Sequence, residues 1–549
     1  MRFLPDEIKA EVAPGVTLLS AARRAGAALE SPCDGMGVCG KCLVELTSGD
    51  CADIAADAAK ASVLQPPVRV LACRTVVGEL DAQVRIARSA AGLQVHDEGD
   101  SVACAIMPRM LKRYDAVSGA TEILADGRHL GWETGDTGKA LFGLAADIGT
   151  TTLTVAVINL NDGRELASFS GLNPQTRYAQ DVLGRIHFAS EKAGLEILNR
   201  EVVSAINQLA GLACAQAGVE IAHIYETVLS GNTCMAHLAA GLNPEALGRY
   251  PFSPEFSGHV SLPSRPLGLW GAEFGETYFP PVISGYIGAD ITAGIIAADL
   301  ARRPGVTLLV DIGTNGEIVL ARDGEMFAAS AAAGPAFEGM NISCGMRAAA
   351  GAIEYYRLRD DGSAVIKTVA GAPAQGICGS GLMDAVAELV RKGGVSPNGR
   401  FNATGGELAA RMERDNGKTR FRLIGEVFLT QKDIRQVQLA KAAVRAGIEL
   451  LLTQAGLRAD EVEQVFVAGS FGYHLRERSL LDLGLLPPQL AGRVRFAGNT
   501  AKSGARIFLL NQPSRGAAQS IAGRVHCCDL AGDPQFQEVF IAAMAFPSK

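Results

Sequence analysis

No stretch of this sequence approaches the roughly 18 uninterrupted apolar residues that a membrane-spanning helix needs. The first residues, MRFLPDEIKAEV, carry charge early and lack the apolar segment of a secretion signal. These absences predict a soluble cytoplasmic protein with no membrane partner. Long runs of Lys or Arg are also missing, and 51 basic side chains stand against 58 acidic ones, for a formal charge of −7. Nucleic acid is therefore not expected as a partner, because gripping a polyanion needs a concentrated positive surface. Cysteine is sparse, 12 in 549 residues, and only four fall into a recognisable spacing. Such dilution argues against a disulfide framework and for a reducing compartment, with the other eight expected as small buried hydrophobes. Low-complexity tracts are absent too, so the abundant alanine and glycine belong to packed helices.

The length implies three or four folded units of roughly 100 to 200 residues each. Residues 1–87 form one block, with short alternating runs (RFLP, IKAEV), a Pro-Gly turn, and TLLSAARRAGA as a short helix capped by Thr17. Over 88–140 the pattern weakens and turn clusters (HDEGD, DAVSG, LADG) separate short apolar pieces, as in a linker or small connecting domain. Beyond it, strand-like runs (LAADIG, TLTVAVINL, TLLVDIG, EIVLA, QVFVAG) alternate with long helical ones such as EVVSAINQLAGLACAQAG and IRQVQLAKAAVRAGIELLLTQAG. This alternation predicts an α/β multidomain architecture. LAADIGTTTLTVAVI returns as LLVDIGTNGEIVL, which implies two related halves, 141–300 and 301–549.

Cys33, Cys39 and Cys42 follow a C-x5-C-x2-C spacing, and Cys73 stands in the apolar run VRVLACRTVV. Three ligands in one loop and a fourth further on is how [2Fe-2S] ferredoxins hold their cluster, here one residue longer than the plant-type C-x4-C-x2-C. Gly35, Gly37 and Gly40 let the loop turn sharply and aim N–H groups at the sulfurs. Zinc is the competing metal, but structural zinc usually shows two CxxC pairs, and Cys33 and Cys73 are unpaired at that spacing. GMGVCGKC also imitates a P-loop as far as Lys41, yet Cys42 stands where a Ser or Thr must meet Mg²⁺. Cys51 lies outside the pattern as a bystander.

In the first Asp-Ile-Gly-Thr segment a strand ends at Asp147, turns at Gly149 and resumes through Thr150, Thr151 and Thr152. Such a hairpin presents N–H groups and hydroxyls to phosphate oxygens while the carboxylate meets Mg²⁺ through water. Asp311, Gly313, Thr314 and Asn315 repeat it, and two facing turns can grip a polyphosphate from both sides. The plain alternative is ordinary hairpin chemistry. In QVFVAGSFGYHL a strand is followed by Gly469, Ser470, Phe471 and Gly472, small enough at the glycines for close approach to a nucleotide's sugar and base. Glu338, in GPAFEGMNISCGMRAAAG, is a candidate for orienting an attacking water and equally a surface charge on a loop. Ser380 is a candidate helix cap. His237 and His474 carry no assigned role, and Met340 and Met346 read as core fillers.

Residues 1–87 resemble a β-grasp [2Fe-2S] ferredoxin through MRFLP, VAPGVTLLSAARRAG, PCDGMGVCGKC and Cys73. The two turns and VAGSFG resemble the actin, sugar kinase and Hsp70 ATPase superfamily, which implies two lobes closing on MgATP. As a whole the chain resembles the ATP-dependent reductive activators of corrinoid proteins. PCDGMGVCGKC, AADIGTTT, NPQTRYAQDVLGRI, LSGNTCMAHLAAG, GYIGADITAGIIA, VDIGTNGEIVL, GPAFEGMNISCGMRAAAGAIE, GICGSGLMDAV, DIRQVQLAKAAVRAGIELLL and VAGSFG carry that resemblance. It implies a [2Fe-2S] cluster on Cys33, Cys39, Cys42 and Cys73, and ATP with Mg²⁺ at the two turns. It also implies a homodimer that takes electrons from a low-potential donor and passes one to the Co(II) of a docked corrinoid protein, regenerating Co(I). The segment before the first turn is shorter than the family's usual linker and middle domain, and no D-x-H-x-x-G motif for holding cobalamin is present. A small-molecule kinase with a redox-sensing ferredoxin domain and an ATP-gated cofactor chaperone are the alternatives.

Overall fold

Runs rich in Val, Leu, Ile and Thr favour pleated, buried surfaces, and here they build two sheets on one plan. The computed structural model describes residues 1–4, 7–27, 29, 42–53, 62–79, 81–86, 104–402, 408–415, 417–469 and 475–548. The first sheet starts from an antiparallel hairpin, Phe142–Ile148 against Thr152–Asn159, in register so that Ile148 faces Leu153. Glu165–Leu172 extends it on one side and Ile224–Gly231 lies parallel on the other. The second sheet repeats this order, with Val306–Ile312 against Gly316–Arg322, then Glu325–Ala331, and Gln464–Ala468 parallel on the far side. Each parallel strand runs into a glycine at the corresponding place. A Cβ on Gly231 would stand 2.7 Å from the Ile148 carbonyl oxygen, and one on Gly469 would strike that of Ile312. The internal repeat therefore reaches well past the Asp-Ile-Gly-Thr echo.

The central strands are covered on both faces, which is why they read as nearly continuous apolar runs. Gly194–Ala217 packs Leu198, Val202 and Ile206 onto Val155 and Val157 of the first sheet. Gln431–Gln454 lays Ile434, Val437 and Val444 against Ile318 and Leu320 of the second. A reciprocal capping box of Thr430 and Asp433 starts that helix by satisfying two of its open backbone donors.

Two helices tie the sheets together. Ala289–Ala297 presents Ile291 and Ile295 to Leu309, Val319 and Phe466 of the second sheet, and Ala293 to Ala145 and Ala156 of the first. Thr500–Leu510 follows the second sheet's edge strand Val494–Gly498, yet its Ala505, Phe508 and Leu509 pack in the first sheet's core. The chain thus crosses back, and one helix from the middle of residues 141–549 and one from near their end pack together at the crossing between the sheets.

The N-terminal unit has its own core, in which Phe3, Leu18, Leu19, Val44, Leu46 and Val84 are buried together. Thr17 caps the helix Leu18–Arg24, accepting the Ser20 N–H at 3.1 Å. Between the units lies a three-stranded meander, Met110–Asp115, Ala120–Ala125 and Arg128–Thr134. Arg109 anchors it to the first sheet through the buried Glu226, which Arg515 also contacts at 2.8 Å. No helix among the described residues is long and apolar enough to cross a membrane.

The crossing between the sheets depends on two backbones approaching closely. A Cβ on Gly504 would stand 2.6 Å from Ala293 Cα. Gly504→Ala is expected to lower stability by about 1–3 kcal/mol through overpacking. Gly516→Ala, with nothing within 4 Å of its Cβ position, is expected to match or exceed the parent, since alanine favours a helix interior by about 1 kcal/mol. Denaturant melts of the two variants give the comparison, and equal losses would contradict it.

Candidate nucleotide cleft and cluster site

Both Asp-Ile-Gly-Thr segments are tips of the central hairpins. Gly149 donates its N–H to Thr152 O at 3.0 Å, and Gly313 donates to Asn315 O at 3.0 Å, so each tip is tightly closed. The tips meet across a cleft, where the hydroxyl oxygens of Thr151 and Thr314 are 3.5 Å apart. Between them stands Glu338, at the end of the short turn Pro335–Glu338. Thr151 donates to one carboxylate oxygen at 2.5 Å, and Thr314 donates to the other at 2.6 Å. Glu338 is therefore no free loop charge. It bridges the two halves.

Four carboxylates, Asp147, Asp290, Asp311 and Glu317, line the same cleft. Burial pushes Asp311 up to about 8, helped by the charges of Asp290 and Asp147. Burial also raises Asp290 to about 6 and Glu317 well above its ordinary value, the latter with help from Asp290 and Asp311. Asn499, just after the edge strand Val494–Gly498 of the second sheet, donates to Asp147 at 2.8 Å and so reaches across the lobes. This donor set suits a hard divalent cation, which dehydrates reluctantly and is held through water and phosphate oxygens. Among the described residues no three His, Cys, Asp or Glu side chains converge closely enough to hold an ion directly. The cleft encloses about 90 Å³, less than the roughly 300–1,000 Å³ of ordinary ligand pockets.

The structure places Thr150 beside Asn232, whose amide donates to its hydroxyl at 3.0 Å. Thr152 and Asn315 line the cleft, and Gly469 closes it at φ +118, a conformation that favours glycine. Ser470, Phe471, Gly472 and His474 lie outside the described residues. Ser380 does not cap its helix. Gly379–Arg391 begins after Cys378, and the buried Ser380 already sits in the first turn, donating to Glu354 O at 3.0 Å. His237 is a packed imidazole held between Thr233 O and the Glu255 N–H. Asp290, Glu317, Asn232 and Asn499 are the cleft residues that sequence reasoning passed over. A carboxylate embedded in an otherwise apolar run, as in GYIGADITAG, is the signal that marks Asp290.

In the N-terminal unit, Leu43–Ser48 pairs antiparallel with Val68–Leu71, Leu43 opposite Leu71. The pairing continues as Ala72 donates to Cys42 O at 2.9 Å, which brings Cys42 and Cys73 to the same end of the sheet. Cys42 is buried and Cys73 partly so, a shielded setting that suits thiolate ligands of an iron–sulfur cluster. Cys33 and Cys39 lie outside the described residues. Cys51 sits on the strand Cys51–Asp53 opposite Val77, in a different sheet.

Three family models divide the chain. Residues 2–78 match a 2Fe-2S iron-sulfur cluster binding domain, 142–303 the RACo middle region, and 305–549 the C-terminal ASKHA domain of RACo. The corrinoid activation enzyme RamQ of Eubacterium limosum is 34% identical over 423 residues, covering 74% of this chain and 71% of that protein. The chain belongs to the RACo family. A second relative, the [Co(II) methylated amine-specific corrinoid protein] reductase of Methanosarcina barkeri, is 26% identical over 68% of this chain and 70% of its own. The solved structure of a reductive activator for corrinoid, iron-sulfur protein superposes with a TM-score of 0.76 at 29% identity, covering 100% of this chain and 98% of that one. Membership brings an iron–sulfur domain and an actin-like ATPase fold, and thus a [2Fe-2S] cluster and ATP as the matching cofactors.

The buried acids give the cleft a pH signature. Asp311 and Asp290 stay protonated to higher pH in the folded chain than in the unfolded one, so between about pH 4 and about 8 the native state holds more protons. Stability of the metal-free, nucleotide-free protein is therefore expected to fall as pH rises through that window, by up to about 1.4 kcal/mol per unit for each group in transit. Asp311→Asn is expected to flatten the limb between about 6 and about 8. Urea melts across the range test this, and a stability that climbs toward pH 8 contradicts it.

Proposed function

We propose that this protein spends ATP to return an inactive corrinoid protein to service, delivering one electron to its Co(II) and so forming Co(I). The observation that carries the reading is the joining, in one chain, of the Cys42 and Cys73 pair to two phosphate-type turns bridged by Glu338. The names of both curated relatives and of the superposed structure support the same substrate class. When bound, the two-iron cluster would supply a single electron, as plant-type clusters do at potentials of about −400 mV. The electron lost there is the one gained by cobalt, and a separate low-potential donor restores it.

The residues of the cleft perform the other half. Thr151 and Thr314, released from Glu338 as the turns part, offer their hydroxyls to phosphate oxygens from opposite sides. Glu338, now free, accepts a hydrogen bond from the attacking water and holds it against the terminal phosphate. Asp147, Asp290, Asp311 and Glu317 are the carboxylates that would hold Mg²⁺ and offset its charge, while Asn499 fixes the Asp147 carboxylate. After hydrolysis the Thr151–Glu338–Thr314 bridge re-forms, and the two cleft states differ in their affinity for the partner, which is what coupling requires. In this reading residues 1–87 are the cluster unit, 88–140 the connection, and 141–300 and 301–549 the two lobes. The protein acts as a cytoplasmic homodimer.

The test mixes the reduced protein with candidate Co(II) corrinoid proteins without oxygen and follows the Co(I) absorption with and without MgATP. Co(I) is expected to form only with MgATP. Asp311→Ala is expected to cut nucleotide turnover about a hundredfold and keep the cluster's colour, whereas Cys39→Ala loses the colour and keeps nucleotide binding. Equal Co(I) formation without nucleotide sinks the proposal. Phosphate transfer by Cys39→Ala to a small acceptor would replace it with a kinase.

A further inference from the structure

The segment NPQTRYAQDVLGRI connects two sites that are far apart in sequence. At its start, Asn173 is fully buried behind the first phosphate turn. Its N–H donates to Thr151 O at 2.8 Å, and its side-chain amide donates to Gly149 O at 2.9 Å. At its end, Arg185 on the helix Val182–Ala189 is also fully buried. One Arg185 nitrogen donates to Thr150 O, so the same turn is held from two directions. Other Arg185 nitrogens donate to Gln175 Oε1 at 3.0 Å and to Ala179 O at 3.2 Å. Gln175, buried in turn, donates to Leu198 O at 3.0 Å. Among the described residues, Arg185's hydrogen-bond acceptors are carbonyls, an amide oxygen and the Met235 thioether, with no carboxylate. A buried guanidinium without a bonded counter-charge is costly. Its geometry shows what it secures, namely the turn and the middle of this segment in one grip.

The middle of the segment faces the ferredoxin-like unit. Arg177 donates to Gly26 O at 3.5 Å, and a Cβ on Gly26 would stand 3.1 Å from the Tyr178 hydroxyl. Gly26 follows the helix Leu18–Arg24 at φ +70 and precedes Ala27, which is buried in the ferredoxin-like core. In sequence it stands seven positions before Cys33. Tyr178 is set by the Phe188 ring, 5.1 Å away, and by a hydrogen bond to Glu201 at 3.4 Å. The segment is therefore rigid where it grips the turn and meets Gly26 through one long hydrogen bond and one close approach. Contacts this slight are released or strengthened by a small displacement.

We propose that residues 173–185 are the relay between nucleotide and cluster unit, with Asn173 and Arg185 as positioning residues at the phosphate turn and Arg177 and Tyr178 as the face that docks Gly26. The inference rests on the reading that ATP and electron transfer are coupled, and it names the path. Parting of the turns moves Thr150 and Thr151, their carbonyls carry Asn173 and Arg185, and the docking of the ferredoxin-like unit responds. Coupling of this kind is reciprocal, so loosening the docking end changes nucleotide affinity.

The test needs no corrinoid protein. Full-length protein with its cluster is saturated with MgADP or a non-hydrolysable MgATP analogue, with saturation established by calorimetry. Amide hydrogen exchange is then followed over residues 18–27 and 147–152. Exchange over 18–27 is expected to change about fivefold or more between nucleotide-free and nucleotide-bound protein, at the lower end of usual coupling. In Arg177→Ala/Tyr178→Ala that response is expected to vanish and the nucleotide Kd to shift by a similar factor, while 147–152 still responds and the cluster absorption is unchanged. Simple loss of packing would not remove a nucleotide-dependent difference. If 18–27 in the unaltered protein ignores nucleotide while 147–152 responds, the relay is overturned, and this arm needs no variant to fold. An undiminished response in the double variant overturns it equally. If the relay fails while Co(I) formation remains ATP-dependent, the coupling runs by another path. If 18–27 responds but Co(I) formation ignores ATP, the relay stands and the reductive reading falls.

Discussion

One carboxylate held between two hydroxyls sets the state of this molecule. Glu338 accepts from Thr151 of the first sheet and Thr314 of the second, so the halves are closed on each other by charge-assisted hydrogen bonds, which are about twice as strong as neutral ones. Closure has an electrostatic cost. It crowds Asp147, Asp290, Asp311 and Glu317 into a cleft of about 90 Å³, where burial holds three of them above their ordinary range. The bridge and the crowding oppose each other, and a cation with a polyphosphate relieves the second while competing for the hydroxyls of the first. In the proposed cycle this opposition is what separates the closed cleft from an open one.

The scaffold allows such a cleft to move as a unit. Each sheet is packed on its own long helix, so neither lobe deforms easily. The helices Ala289–Ala297 and Thr500–Leu510 cross between them, with small residues such as Ala293 and Gly504 at the closest approach. A smooth contact between small side chains lets two helices slide or pivot with little repacking, whereas interlocked large ones would resist.

The hairpins and the placing of Cys42 and Cys73 together were legible because their chemistry is local. An apolar run broken by Asp-Ile-Gly-Thr predicts a strand, a tight tip and a strand, and both appear where expected. Cys42 and Cys73 are marked by spacing and context, and strand pairing brings them to one end of a sheet. What escaped is created only by folding. Asn499 meets Asp147 across 352 positions of chain, and nothing near Asn499 advertises an acidic partner. Glu317 follows the second turn by two residues yet reads as the polar half of an alternating strand until the sheet buries it. Ser380 failed in the opposite sense, because a serine beside a helix start is a cap only if it lies before the first turn, and Cys378 holds that position. The repeat was recognised from its turns, while its second half, the matched glycines 231 and 469, shares too little sequence to be seen without the backbone.

The different strengths of the contacts along the chain explain how one protein can serve two chemistries. A ligand shifts an equilibrium only by its differential affinity for the two states, so an element that nucleotide is to control must be held weakly enough to yield. At the phosphate turn the side chains of Asn173, Gln175 and Arg185 are buried and hydrogen-bonded, so breaking one link strands a donor in the core. Toward the ferredoxin-like unit, the bond from Arg177 to Gly26 is, among the described residues, single and long at 3.5 Å. A firm grip there would fix the cluster unit whatever the nucleotide did, and a loose grip at the turn would dissipate the signal before it arrived. The order found here, tight at the phosphate end and slight at the cluster end, is the one that lets a small change in the cleft become a change in where the electron carrier sits.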